Sequence, residues 1–131
     1  MLGKILKLFV GDKSKKDLKT ITPIIDQIHT FQDEISKLTN DDLRNQTLLF
    51  KDQIKSSVLE IDKQIEGLKA ELEKTKDFDK KESLFLEIDK LNEDAYKINE
   101  ATLNEILPKA FAVVKETAKR FVENNEVIVK A

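Results

Sequence analysis

The chain has 131 residues, of which 40% are hydrophobic and 37% are charged, with three glycines and a net charge of -2. This length suits one domain and this composition favours long helices, whereas the near-neutral charge argues against a dedicated nucleic-acid-binding protein. Because cysteine is absent, disulfides and cysteine-based metal sites are excluded. No apolar stretch approaches the roughly 20 residues that cross a bilayer.

The first predicted element is a short amphipathic helix over residues 1–12, which Gly11 is placed to end. Residues 1–16 carry five lysines and one aspartate, a net charge of +4. Such a segment either lies at an anionic membrane surface or packs against the rest of the protein. Charged residues inside the apolar run argue against a signal peptide. The apolar face consists of Leu2, Ile5, Leu6 and Phe9, with Lys4 and Lys7 opposite.

The second predicted helix spans about residues 15–38, with Ser14 as a candidate cap and a kink at Pro23. His29 is the only histidine and has no second type of metal ligand near it in the sequence, so it is predicted to lie at the surface. The apolar positions of this helix recur at a spacing of three or four residues: Leu18, Ile21, Ile25, Ile28 and Ile35, flanked by Ile24, Phe31 and Leu38.

Two further helices are predicted to form an antiparallel hairpin. Thr39 caps the first, and Asp79 with Glu82 forms a capping box for the second. Their apolar seams are similar in length and are joined by a short polar turn, which favours a coiled-coil hairpin over residues 55–104. The first seam comprises Leu43, Thr47, Phe50, Ile54, Val58, Ile61, Ile65, Leu68 and Leu72, and the second comprises Leu84, Ile88, Leu91, Ala95, Ile98 and Thr102.

Pro108 is predicted to start the last helix, because proline at the first helical position loses no hydrogen bond. Residues 124–131 then show a turn signal and the alternating start of a strand that has nothing in this chain to pair with, which is interpreted as a truncation. The periodicity of the last helix is typical of a core helix whose buried face consists of Ala110, Phe111, Val113, Val114, Ala118, Phe121 and Val122. The opposite, solvated face consists mainly of Lys109, Lys115, Glu116, Lys119 and Arg120.

Two phrases in the chain closely resemble the N-terminal region of the SecA family of preprotein translocation ATPases. They are LTNDDLRNQTLLFKDQI at residues 38–54 and LPKAFAVVKETAKRF at residues 107–121. In most of that family the two phrases lie close together, so residues 55–104 are interpreted as an inserted hairpin. That insertion is either a docking arm for a dimer or another partner, or an elaboration with no separate task.

The resemblance implies what the intact protein does. It would be an ATPase that uses ATP and Mg²⁺ to drive preproteins through the Sec translocon channel, located in the cytoplasm and peripherally at the inner face of the cell membrane. Acidic phospholipid and a second copy of the protein would be further partners, and nucleic acid would not. The membrane-binding residues implied by the resemblance are Leu2, Lys4, Ile5, Leu6, Lys7, Leu8 and Phe9.

The sequence therefore predicts an all-α protein, an extended helical bundle with a long antiparallel coiled-coil hairpin. The predicted parts are residues 1–12, 13–54, 55–104 and 105–131, the last including the start of a nucleotide-binding domain. No catalytic motif or metal-binding motif lies within the chain, and its three glycines form no phosphate-binding loop, so this segment needs no cofactor of its own. The alternative to a translocase segment is a stand-alone coiled-coil module that binds other proteins.

Overall fold

The computed structural model describes the backbone of residues 2–124 and the side chains of residues 17–124. It contains three helices in this part of the chain, α1 (Leu2–Ile35), α2 (Asn40–Lys74) and α3 (Phe78–Glu123), and the described residues include no strand. The predicted all-α class is confirmed. The predicted strand at 124–131 lies outside the described residues.

Helix α1 is longer than the sequence pattern predicts. The predictions that Gly11 ends a first helix and that a second helix begins near residue 15 are wrong, because one helix runs from Leu2 to Ile35. A glycine inside a helix costs only about 1 kcal/mol relative to alanine, which is too little to end a helix whose flanking residues favour it. Pro23 lies inside α1 and removes one backbone hydrogen bond.

Helix α2 begins where the sequence predicts, because Thr39 caps it. The backbone N–H of Asp42 donates to Thr39 Oγ1 at 3.1 Å, and the Thr39 hydroxyl donates to Asp42 Oδ2 at 2.6 Å. These bonds satisfy one backbone donor of the first turn and hold a carboxylate near the positive end of the helix dipole. The predicted cap is confirmed.

Helix α3 has a different cap from the predicted one. Asp77 Oδ1 accepts hydrogen bonds from the backbone N–H of Asp79 at 3.0 Å and of Lys80 at 3.3 Å. Asp77 is the cap because it directly precedes the first helical residue, Phe78, whereas Asp79 already belongs to the first turn. The prediction of a capping box that starts at Asp79 is therefore wrong.

Pro108 does not start a helix, since α3 continues through it from Phe78 to Glu123. The proline ring removes the hydrogen bond that residue 108 would donate to the carbonyl of Asn104, but the other bonds of a 46-residue helix remain. The prediction failed because proline is also compatible with a helix interior when packing on both sides maintains the helix. Pro108 itself is buried.

The chain divides into two compact units. Unit 1 consists of Met1–Leu43 and Pro108–Ala131, and unit 2 consists of Arg44–Leu107. The core of unit 1 is small, with Ile35, Leu43 and Ala112 at its centre. The partly buried apolar side chains packed against this centre are Ile28, Phe31, Leu38 and Val113.

Unit 2 buries or half-buries the predicted seam residues that it contains, with one exchange of neighbours, while Leu43 belongs to the core of unit 1. Thr47 is exposed, and Gln46 is buried in its place. The coiled-coil pairing of the seams and the boundaries at 55 and 104 stay predictions. The most buried apolar side chains of unit 2 are Val58 and Ile65 from α2 and Leu84, Ile88 and Ile106 from α3.

An ion pair joins the two helices of unit 2 near their connection. Lys80 Nζ lies 2.7 Å from Glu71 Oε1. The hydrogen bond to the Glu71 carboxylate, and then its negative charge, raise the pKa of Lys80. Both side chains are about half exposed, so this pair adds little stability beyond that of the buried seams.

No helix in the part of the chain covered by the structure combines the length and the apolarity that crossing a bilayer requires.

Candidate functional site

The end of α3 in unit 1 buries the opposite face from the predicted one. Ala112 has no exposed surface and Glu116 is only 3% exposed, whereas Phe111 is 53% and Val114 64% exposed. Phe121 is likewise more than half exposed. The prediction of a buried apolar face is therefore wrong for these large side chains, and a charged residue takes their place in the interior.

Arg120 explains how a charged residue can be buried there. Its Nη2 donates to the backbone carbonyl of Leu38 at 2.8 Å and to that of Ser36 at 3.3 Å, and its Nη1 donates to Asn40 Oδ1 at 2.8 Å. The two carbonyls lie in the connection between α1 and α2, where backbone carbonyls lack helical partners, and Asn40 is the first residue of α2. One guanidinium group thus binds the end of α1, the start of α2 and its own helix.

Glu116 positions this guanidinium from within α3. Its Oε1 accepts from Arg120 Nε at 2.9 Å, and its Oε2 accepts from Gln32 Nε2 at 3.2 Å. The planar fork of arginine suits several acceptors at once, and a buried carboxylate needs such charge-assisted bonds to offset its desolvation. We call the set Arg120, Glu116, Gln32 and Asn40, with the two carbonyls, the Arg120 clasp. Gln32 Oε1 is buried and has no hydrogen-bond partner among the described residues.

Lys109, a second cation on α3, forms a further contact with α1. Lys109 Nζ lies 3.0 Å from Glu34 Oε1 and 6.0 Å from the centroid of the Phe31 ring. The Lys109 side chain is 29% exposed and that of Glu34 is 59% exposed, so the pair is partly screened by water. The aromatic face adds a modest cation–π attraction.

The chemistry of the Arg120 clasp is structural. It contains no nucleophile beside a base, and a guanidinium does not give up its proton in proteins. Sequence reasoning assigned Glu116 and Arg120 to the solvated face and so missed the clasp. Their spacing of four residues, which brings opposite charges together on one helical face, was the signal that could have pointed to it.

The predicted membrane-binding residues share one helix with this core. Leu2, Lys4, Ile5, Leu6, Lys7, Leu8 and Phe9 all belong to the first turns of α1. Their side chains lie outside the described residues. Their role in membrane binding therefore stays a prediction. His29, which was predicted to lie at the surface, is exposed.

No metal-ion site is formed by the residues that the structure describes. No group of three or more His, Cys, Asp or Glu side chains among them could hold a metal ion. Gly67 lies inside α2 with open space around the position of a Cβ atom, so a side chain at this position would meet no neighbour.

Comparison with known proteins gives one consistent result. The family model of the SecA DEAD-like domain matches residues 6–130. The protein translocase subunit SecA of Flavobacterium psychrophilum is 53% identical over 130 residues, covering 99% of this chain. That of Christiangramia forsetii is 48% identical over the same share, and that of Amoebophilus asiaticus is 41% identical over 100% of the chain. No solved structure matches the chain.

The same alignments show two further points. The chain spans about 12% of the length of these relatives. Because 99% or more of the chain is aligned, residues 55–104 fall within the aligned region in all three relatives. The segment interpreted as an insertion is therefore not peculiar to this chain.

Proposed function

Because the chain belongs to the SecA family of protein translocase subunits, we propose that it is the N-terminal segment of a motor that uses ATP hydrolysis to push preproteins through the Sec channel. The match along residues 6–130 carries this proposal. The residues that bind ATP and Mg²⁺ would lie beyond residue 131, because the sequence of this chain contains no phosphate-binding motif. Family membership also argues against a stand-alone interaction module.

The start of α1 would attach the motor to the inner face of the cell membrane, while the protein as a whole remains cytoplasmic and peripheral. Four apolar residues, Leu2, Ile5, Leu6 and Phe9, recur on one helical face of α1, and residues 1–16 carry a net charge of +4. An anionic surface attracts each basic residue by about 1 kcal/mol, and the apolar side chains can enter the boundary between headgroups and acyl chains.

This attachment is tested with the intact protein and vesicles of defined composition. Lys4→Glu combined with Lys7→Glu should weaken binding to vesicles rich in phosphatidylglycerol by roughly tenfold or more, since the charge of two residues is reversed. Lys51→Glu combined with Lys55→Glu, at exposed positions of α2, is the matched control and should leave binding unchanged. Equal binding of the unmodified protein to neutral phosphatidylcholine vesicles would refute the electrostatic tether.

The end of α3 would brace the nucleotide-binding domain that follows in the intact motor. Phe111, Val114 and Phe121 are each more than half exposed, and Val122 is 87% exposed. From one of these four residues to the next the spacing is three, seven and one residues, which places all of them on one side of the helix. A cluster of large exposed apolar side chains marks a surface that another part of the protein covers.

Bracing predicts a specific defect in the intact motor. Phe111→Ser combined with Phe121→Ser should lower the unfolding temperature of the nucleotide-binding domain and its ATPase rate. Leu59→Ser, at a position 44% exposed in unit 2, is the control and should change neither. Normal ATPase activity and unfolding temperature in the double variant would refute bracing by this face.

The intact motor would also form a homodimer, the state in which two copies of the N-terminal segment could meet. A sedimentation equilibrium series on the intact protein tests this directly. A single species of monomer mass at micromolar concentrations would refute the dimer.

A further inference from the structure

Helix α3 carries a row of large apolar side chains on a face that unit 2 leaves exposed to water. Phe78 is 80% exposed, Phe85 53%, Tyr96 64% and Leu103 50%. At 3.6 residues per turn, Phe85 and Leu103 fall within about 20° of the line that joins Phe78 to Tyr96 along the helix. At a rise of 1.5 Å per residue the row is about 38 Å long. An exposed apolar row of this length marks a surface that something else covers.

Carboxylates lie between these large side chains. Glu82, Asp89 and Glu100 fall within about 40° of the same line, and every lysine of this stretch lies outside that arc. The Tyr96 hydroxyl donates to Glu100 Oε1 at 3.3 Å. Among the residues that the structure describes, neither Glu82 nor Asp89 takes part in an ion pair. We call this surface the acidic–aromatic stripe: Phe78, Glu82, Phe85, Asp89, Tyr96, Glu100 and Leu103.

The acidic–aromatic stripe has the spacing of a seam along which helices pack. Its seven residues follow one another at four, three, four, seven, four and three positions, which is the spacing of a coiled-coil seam with one place taken by Asn92. The buried row of α3 in unit 2 lies about 110° away around the helix axis. That row consists of Leu84, Ile88, Thr102 and Ile106. Helix α3 therefore carries two seams, and unit 2 covers only one of them.

The composition of the acidic–aromatic stripe indicates what covers it. Aromatic side chains are enriched in protein interfaces, and carboxylates that lose water there need basic partners. The stripe therefore fits a helix that presents apolar side chains together with lysine or arginine on one face. A second copy of the stripe does not fit, since the contact would place carboxylates against carboxylates. An anionic membrane surface does not fit either, because it repels the same carboxylates.

The remainder of the motor is the nearest source of such a helix. The chain spans about 12% of the length of its relatives, so on the function proposed above most of the intact protein follows residue 131. A helix of the same molecule is present at an effective concentration of about millimolar, far above that of most separate proteins. We propose that a helix from the part of the motor beyond residue 131 packs along the acidic–aromatic stripe, with apolar and basic side chains facing it. This proposal rests on the proposed function, which makes the chain the first part of a longer motor.

Photo-cross-linking in the intact protein tests this contact. p-Benzoylphenylalanine replaces Phe85 in one variant and Tyr96 in another, and each variant is mixed with ¹⁵N-labelled protein that lacks the cross-linker. The two positions are about 16 Å apart along α3. Mass spectrometry should therefore find cross-links to unlabelled peptides beyond residue 131, at two places roughly 11 residues apart in one helix. The same cross-linker in place of Leu59, an exposed position on α2, is the control and should not reach that helix.

Other cross-linking results would overturn the proposal. Cross-links to ¹⁵N-labelled peptides would mean that a second copy covers the stripe, and cross-links that form only after preprotein is added would mean that the preprotein does. Cross-links confined to residues 1–131, cross-links to a segment without basic residues, or none at all would overturn it as well. Translocation by the unmodified protein is measured in parallel. Its absence refutes the proposed function, whereas an active motor without the expected cross-links refutes only the packing on the stripe.

Charge reversal provides an independent test in the intact protein. Glu82→Lys combined with Asp89→Lys places two cations against the basic side chains of the packed helix. Amide hydrogen exchange in the helix identified by cross-linking should become roughly fivefold to tenfold faster, because attraction is replaced by repulsion and the helix opens more often. Asp62→Lys combined with Glu66→Lys makes the same charge change at exposed positions of α2 and should change these rates less than about twofold. Equal acceleration by both pairs, or no acceleration by the first pair, would overturn the proposal.

Discussion

Units 1 and 2 share helices α2 and α3, whereas α1 belongs to unit 1 alone, and the two units bury different chemistry. In unit 1 the face of α3 that turns inward carries Ala112, Glu116 and Arg120, and hydrogen bonds to backbone carbonyls complete a small apolar core. In unit 2 the buried side chains are mainly leucine, isoleucine and valine, with only the uncharged Gln46 and Thr102 beside them. The difference shows that a helix with a clear apolar stripe can still pack through its polar side when an ion pair on that side forms enough hydrogen bonds.

The largest effect is expected from removing the Arg120 side chain. Arg120→Ala would leave the nearly buried Glu116 carboxylate without its cation and three oxygen acceptors without a donor, so unfolding should require about 3–5 kcal/mol less. Urea unfolding followed by circular dichroism measures this. Lys119→Ala removes a neighbouring cation that is 56% exposed and should cost less than about 0.5 kcal/mol. Equal effects of the two changes would mean that the clasp is not what stabilises unit 1.

The apolar seam of unit 2 should respond to loss of volume instead. Ile65→Ala removes three carbon atoms from a side chain that is only 6% exposed, and it should lower the free energy of unfolding by about 2–4 kcal/mol. Leu59→Ala, at a position 44% exposed on the same helix, should cost less than about 1 kcal/mol. The same urea titration compares them. A cost for Ile65→Ala no larger than that for Leu59→Ala would contradict burial of the predicted seam.

The cap of α3 allows a smaller test of the connection in unit 2. Asp77→Ala removes the acceptor for two backbone N–H groups and should cost about 1 kcal/mol. Asp79→Ala removes only a charge in the first turn and should cost a few tenths of a kcal/mol. If Asp79→Ala proves the more damaging of the two, the cap lies where the sequence pattern predicted it and not at Asp77.

The smallest effect is expected from an exposed pair on α3. Glu93 Oε1 lies 2.7 Å from Lys97 Nζ, and the hydrogen bond, followed by the charge of Lys97, lowers the pKa of Glu93 below 4.5. The hydrogen bond and charge of Glu93 raise the pKa of Lys97 above 10.5. The pair therefore stabilises the fold between those pH values and is lost as the pH falls through the folded-state pKa of Glu93 or rises through that of Lys97.

Lys97→Gln should accordingly be slightly less stable than the unmodified chain at neutral pH, and the two should converge at strongly acidic and strongly alkaline pH. Thermal unfolding across the pH range measures the difference. Lys90→Gln, which removes an exposed cation from the same helix, is the control and should show no such pH dependence. A difference that grows on acidification would have the wrong sign for this pair.

The sequence predicted the parts of the fold that depend on many residues acting together. The seams of unit 2 repeat over many turns, so one exchange, Gln46 for Thr47, did not disturb the pattern. Single-residue signals were less reliable: Gly11 and Pro108 were interpreted as helix ends, but each costs a helix too little to end it when its neighbours favour continuation.

The site depended on information that periodicity does not contain. Glu116 and Arg120 are polar, so the pattern placed them in water, although their partners at Ser36, Leu38 and Asn40 are about 80 residues away in the sequence. Only the fold brings those acceptors to the guanidinium. The same periodicity placed the large apolar side chains of this helix in the core, but they are exposed.

Hydrogen exchange on the Arg120→Ala variant tests most directly whether a polar clasp stabilises unit 1 while apolar seams stabilise unit 2. Mass spectrometry of peptides from the exchanged chain reports on each unit separately. Amide protection should fall in residues 24–43 and 108–120 and remain close to that of the unmodified chain in residues 58–72 and 84–102. An equal loss of protection in both units, or no loss in residues 24–43 and 108–120, would contradict the account.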